Sequence, residues 1–295
     1  MKRPGHYLLL PLVILALLGL GACEKMILSE EEEEDVTKNG NVTIKVSMYN
    51  IVPFDSRAAQ SLTDYCSTIQ FVFYQNDKKI KAINQKSGDA TYGQTTLSLS
   101  PGTYQLLVLA HSCPFGNPTL STPSKIQFTN TGSGYSDVFY YYNNIEVTDE
   151  PKTHNLELER ATSMVSITII DEMPQEVAKI RLKYEGESGV FNAVSGWGGS
   201  VNSEQYVMYN VQGRTAPLTL KAYTFLRNET GSLNMTISAY DAENTPIAEK
   251  ELTGIPMKNR MVTEYSGNLF SESNSGLEIS LTADTEWSVY KQLTF

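Results

Sequence analysis

The chain's chemistry-bearing residues are few: His6, His111 and His154, the thiols of Cys23, Cys66 and Cys113, and a surplus of carboxylates. His111 and Cys113 are two apart, so on a strand they share a face, the spacing of a metal-ligand pair. A closed structural zinc site takes four such ligands, and no second pair accompanies them. Both are read as ordinary strand-end residues, and His154 stands without even one neighbour of that kind. The acid pairs Asp149-Glu150 and Asp171-Glu172 are adjacent, which on a strand points the two carboxylates to opposite faces and denies them a shared proton. A glycine-rich phosphate loop, a serine elbow and a zinc-binding helix motif are all missing. The expectation is a non-catalytic protein with no cofactor and no metal. Phe139, Tyr140, Tyr141 and Tyr142, with Tyr135 nearby, could line a carbohydrate or protein contact. Period two favours alternate members packing in a core, and Gly196-Trp197-Gly198-Gly199 is read as a turn before a binding loop.

Cys23 has a different context. Lys2 and Arg3 precede an apolar stretch from Tyr7 to Leu20, then Gly21, Ala22 and Cys23. That is the charged, apolar and small-residue order of a secretory signal, too short and too interrupted by Pro11 for a spanning helix. Leu20-Gly21-Ala22-Cys23 resembles a bacterial lipobox, which assigns residues 1–22 to a signal peptide and lipid to Cys23. Each buried methylene of that lipid would contribute about 0.8 kcal/mol, so the protein is expected to be membrane-anchored rather than membrane-spanning. The formal charge is −10 and becomes −12 once Lys2 and Arg3 leave, which argues against a nucleic-acid partner. Ser29 is followed by Glu30, Glu31, Glu32, Glu33, Glu34 and Asp35, a run too charged to fold. It makes 23–40 an acidic tether. Cys66 and Cys113 remain as an even pair in an oxidising compartment, either disulfide-bonded or as two free thiols.

From Asn41 onward, alternation replaces helical periodicity. Val42, Ile44, Val46 and Met48 face one way and Thr43, Lys45 and Ser47 the other, as on a half-buried strand. Ile69, Phe71 and Phe73 repeat the pattern, as do Leu97 and Leu99. Thr103–Ala110 is apolar on both faces and should lie buried on both. Further strands are expected at Phe139–Ile145, Leu156–Leu158, Val165–Ile169, Ala178–Tyr184, Tyr206–Val211, Pro217–Phe225, Leu233–Tyr240, Ile247–Leu252, Met261–Phe270 and Leu277–Leu281. Many short strands with regular turns indicate sandwiches. The length after the tether fits two of them, with 41–159 as the N-terminal and 160–295 as the C-terminal β-sandwich.

The order of several short motifs carries a family resemblance: the lipobox, the alternating first strand, Leu99-Ser100-Pro101-Gly102-Thr103-Tyr104, Arg160-Ala161-Thr162-Ser163-Met164-Val165-Ser166-Ile167, and Ile255-Pro256-Met257-Lys258-Asn259-Arg260-Met261-Val262-Thr263. Together they resemble the fimbrial subunits of Bacteroidetes, in particular the FimB/Mfa-type anchor group. The resemblance implies an all-β fold of two transthyretin-like Greek-key sandwiches, lipoprotein export to the outer membrane surface, and assembly into type V pili by strand exchange with other fimbrial subunits. It implies an adhesive role toward a host or bacterial surface ligand. The acidic run after Cys23 resembles the export signal of Bacteroidetes lipoproteins. Within the family, retention of the lipid and first strand indicates an anchor, with a stalk or tip subunit, cut at Lys38, Lys45 or Arg57, as the alternative. A glycan-binding lipoprotein of a nutrient-uptake system is the runner-up from another class and predicts a platform of exposed aromatics.

Overall fold

Period-two sequence becomes strand throughout the computed structural model, which describes residues 40–48, 61–113, 117–128, 132, 134–199 and 204–271, and the backbone of 288–294. Its strands up to residue 160 are β1 Val42–Met48, β2 Thr68–Gln75, β3 Lys78–Lys86, β4 Gln94–Leu97, β5 Gly102–His111, β6 Thr119–Thr122, β7 Lys125–Gln127, β8 Val138–Val147 and β9 Lys152–Arg160. Then come β10 Ser163–Ile169, β11 Lys179–Glu185, β12 Val190–Asn192, β13 Trp197–Gly198, β14 Gln205–Asn210, β15 Leu218–Thr224, β16 Thr230–Tyr240, β17 Pro246–Lys258, β18 Met261–Gly267 and β19 Ser288–Thr294. The described chain contains one 3-10 turn, Leu62–Asp64, and no α-helix. The expected all-β sandwich architecture is present. The strand expected at Leu277–Leu281 lies outside the described residues, as do Cys23 and the acidic run.

Two sheets enclose each of two main cores. In the first half β3-β2-β5-β8 faces β9-β1-β4, and β8 continues the sheet round one end by pairing Phe139 and Tyr140 with Arg160 and Glu159. Val42, Ile44, Phe71, Phe73, Leu106 and Val108 fill the space between. In the second half β14-β11-β16-β17 faces β15-β10-β18-β19 over Ile167, Leu182, Leu220 and Ile237.

The two halves share one topology. β1 pairs antiparallel with β4 and parallel with β9, and β10 pairs antiparallel with β15 and parallel with β18. Likewise β2 lies between β3 and β5, and β11 between β14 and β16. Each half then adds one more antiparallel strand, β8 or β17, before crossing to the other sheet.

β5 is buried on both faces, as its doubly apolar sequence requires. The second layer over Leu107 and Leu109 comes from the small sheet β13-β12-β7-β6 and from Phe128, Tyr135, Phe191 and Phe225. That sheet is built from both halves, since Phe191 of β12 pairs with Ile126 of β7. Aromatic rings join the layers: Phe225 lies 5.4 Å from Phe128 and 5.2 Å from Phe191, and Phe191 meets Tyr140 edge-on at 4.7 Å.

Candidate assembly edge

An edge strand offers unpaired N–H and C=O groups to another chain, so the edges are where an all-β protein of this kind can join a partner. The shared topology gives a direct comparison between the two halves. β18 has β10 on one side and, on the other, β19 running parallel to it, from Met261 beside Ser288 to Ser266 beside Thr294. β9 is its counterpart, with β1 on one side from Lys152 to Leu158. Its other side pairs only at Glu159 and Arg160. Among the described residues, no strand occupies the rest of that side, the position β19 fills in the second half. Lys152, Thr153, Asn155 and Glu157 of β9 are exposed there, while Leu156 and Leu158 face the core.

The edge strand β3 is guarded. β3 carries Lys78, Lys79, Lys81 and Lys86, and the lysine charge opposes stacking against another strand. It reaches β2 through a two-residue turn in which Asn76 and Asp77 are both left-handed, with φ of 51° and 60°, the hairpin geometry that matches strand twist.

The chain leaving β18 for β19 is held by one carboxylate. Asp171, just past the end of β10, accepts the backbone N–H groups of Leu269 at 3.0 Å, Phe270 at 2.7 Å and Ser271 at 2.8 Å, and the Ser271 hydroxyl at 3.2 Å. Burial pushes this carboxyl up, and those four donors more than reverse it, so it titrates below the usual carboxylate range. Leu269 enters the core and Phe270 packs against it. A group with a depressed pKa contributes stability that is present above its unfolded value and lost as pH falls through the folded one. Backbone amides at 269–271 should therefore lose hydrogen-exchange protection, corrected for intrinsic rate, as pH drops through the acidic range. Unchanged corrected protection down to pH 3 would contradict this.

The junction of the halves carries a second carboxylate. Asp137 bonds Arg160 Nε at 2.8 Å and Thr162 Oγ1 at 2.6 Å, and the Arg160 guanidinium lies 4.9 Å from the Phe139 ring centre. Arg260 adds an ion pair to Glu159 at 2.7 Å and a contact to Tyr140 Oη at 3.5 Å.

The remaining sequence candidates settle into structural roles. His111 is fully buried, and burial, with Lys86 adding to it, lowers its pKa to about 4. Its Nδ1 accepts the N–H of Cys113 at 3.2 Å, so this pair is a local turn contact. His154 is likewise lowered by burial and Lys152. Among the described residues, no group of three or more His, Cys, Asp or Glu is placed to hold a metal ion. No bond joins Cys66 and Cys113 in the structure. Cys66 packs in the first core and Cys113 against the layer on the other side of the sheet, and burial raises both pKa values. Unfolding without reductant should expose both thiols to a colorimetric reagent, with Cys66 unreactive beforehand. An intact mass two hydrogens short would show a disulfide instead.

Tyr135 is buried, and Tyr140, Tyr141 and Tyr142 are half-buried against the cores on either side of β8. Gly196 makes the expected turn at φ 78°, where an added Cβ would stand 2.7 Å from Tyr140 Oη. Trp197 and Gly198 then form β13, a strand where the sequence reading had a turn first and a binding loop second. The Asp171 clamp and the Asp137 pair were missed because their partners lie far along the chain. The only local signal was an acid next to a strand end.

These two-sheet halves in an all-β chain place it among β-sandwich proteins, and the comparisons with known proteins name its family. Residues 32–294 match the model of a family of unknown function, DUF6562, and the chain belongs to that family. No curated protein matches it. Solved structures similar to it include a candidate adhesin from Bacteroides ovatus, at 14% identity over 72% of this chain and 81% of that one, TM-score 0.48. A candidate cell adhesion protein from Bacteroides fragilis is similar at 16% identity over 80% and 95%, TM-score 0.45. The fimbrial anchor protein Mfa2 from Porphyromonas gingivalis is similar at 11% identity over 72% and 82%, TM-score 0.38.

Proposed function

We propose that the protein is a non-catalytic surface lipoprotein, held at the outer membrane by lipid on Cys23, that anchors or forms part of a type V fimbria and supports adhesion. Its subunit contacts are made by strand exchange. The observation that carries this reading is the unequal pair of edges: β18 is capped in parallel by β19, while β9, its topological counterpart, has its outer side open from Lys152 to Leu158 among the described residues. A terminal strand from another subunit, laid on β9 as β19 lies on β18, completes the equivalent ladder with main-chain hydrogen bonds. Cys23 and the acidic run supply the membrane attachment, and the repeated topology supports a division into sandwiches at Glu159 and Arg160. The half-buried tyrosines of β8 do not supply the aromatic platform that the glycan-binding reading needs.

A photo-crosslinking residue placed at exposed Asn155 or Glu157 tests this on the intact fibre. Crosslinks to a C-terminal strand of a second subunit are the expected result. Crosslinks confined to the same chain would overturn strand addition at this edge. Intact mass from the native membrane separates the roles: Cys23 onward plus acyl groups marks an anchor, and a lipid-free chain cut after Lys38, Lys45 or Arg57 marks a processed stalk subunit.

A further inference from the structure

We infer that Asp171 is the fixed root of the exchangeable terminal strand, a clamp that lets the chain beyond Ser271 leave its own subunit without unzipping β18. The inference rests on the strand-exchange reading above and adds how one strand is surrendered while the rest of the sandwich stays closed.

The difficulty it solves is physical. β19 is bonded along almost the whole of β18, from Met261 to Ser266. β18 in turn is bonded along β10, from Met164 beside Val262 to Ile169 beside Gly267. Pulling on a strand frays its neighbour from the end where the chain is joined, and here that end is Gly267. Three successive N–H groups, those of Leu269, Phe270 and Ser271, converge with the Ser271 hydroxyl on the one Asp171 carboxylate. Ile170 donates its N–H to Gly267 O at 3.0 Å, so the clamp is continuous with the β10–β18 ladder. Leu269 in the core and Phe270 against it resist the same pull. The terminal strand can therefore part from β18 while the chain up to Ser271 stays held.

Hydrogen exchange on the full-length protein tests the clamp without needing a partner. In the unaltered chain, β19 amides should exchange at least about tenfold faster than the β18 amides that bond β10, since β19 opens alone. In Asp171→Ala the β18 amides nearest Gly267 should speed up toward the β19 rate, closing that gap. Ser271→Ala, which removes only the hydroxyl donor, should shift the same amides several-fold in the same direction and serves if Asp171→Ala does not fold. Equal β18 and β19 rates in the unaltered chain, or a gap unchanged in both variants, would overturn the clamp. Failure of strand exchange has a separate signature: the gap persists and responds to Asp171, while crosslinks from β9 to a second subunit are absent.

Discussion

Arg160→Met is expected to destabilise the protein by about 3–5 kcal/mol, because it removes one partner of a buried ion pair and leaves the other charge inside. The side chains of Arg160 and Asp137 are only 10% and 16% exposed. Burial pushes the Asp137 carboxyl up, while the Arg160 charge and the hydrogen bonds from Thr162, Arg160 and Val138 pull it back. Without Arg160 the upward push is less opposed. A carboxyl raised on folding costs stability above its folded value, and the cost disappears as pH falls and the group takes a proton. The deficit should therefore be largest at neutral pH and shrink in acid. Asp137→Asn combined with Arg160→Met should recover part of the loss, since no bare charge remains. Chemical denaturation at two pH values checks all three statements, and a deficit under 1 kcal/mol at neutral pH would contradict the assignment.

Phe225→Ala is the second large effect, at about 3–5 kcal/mol for deletion of a fully buried aromatic ring. Phe225 is fully buried just past β15 and touches Phe128, Tyr135 and Phe191. Its backbone is tied to Ser188 by two hydrogen bonds, at 3.0 and 3.1 Å, so the surroundings cannot collapse into the space left by the ring. The ring also joins residues before position 160 to residues after it, whereas the two main cores each belong to one half. Calorimetry should show the variant's transition split or broadened, with the second half melting at a temperature different from the first. A single sharp transition at unchanged temperature would show that the aromatic layer does not couple the halves.

How much of this was legible in sequence depends on whether the information is local. Clean alternation located β1, β2, β10, β11 and β16 to within a few residues, and the doubly apolar run of β5 announced a strand covered on both sides. β3 was missed because the ladder slips between Phe73 and Tyr74, putting an extra residue at Ile80 and breaking period two. β6, β7, β12 and β13 have four residues or fewer, too short for any period to show. The open side of β9 was illegible for another reason. Nothing in Lys152–Leu158 distinguishes a strand with two neighbours from a strand with one, since its pattern reports only which face meets the core. Partner identity lies in residues a hundred positions away, and the Asp171 clamp is long-range in the same way.

The parallel ladders also set a timetable for folding. Val42 has its parallel partner at Lys152 and Met48 at Leu158, so a chain crossing a membrane with its N-terminus leading cannot close the first sandwich until roughly the first half has emerged. Met164 waits similarly for Val262. Loops of that size make closure slow compared with local pairing. Val42 and Ile44, both fully sheltered in the finished fold, stay uncovered through that interval. On the surface-lipoprotein reading proposed above, such a chain would cross the periplasm as a client for holding chaperones, and its yield at the surface would follow their supply more closely than its own final stability.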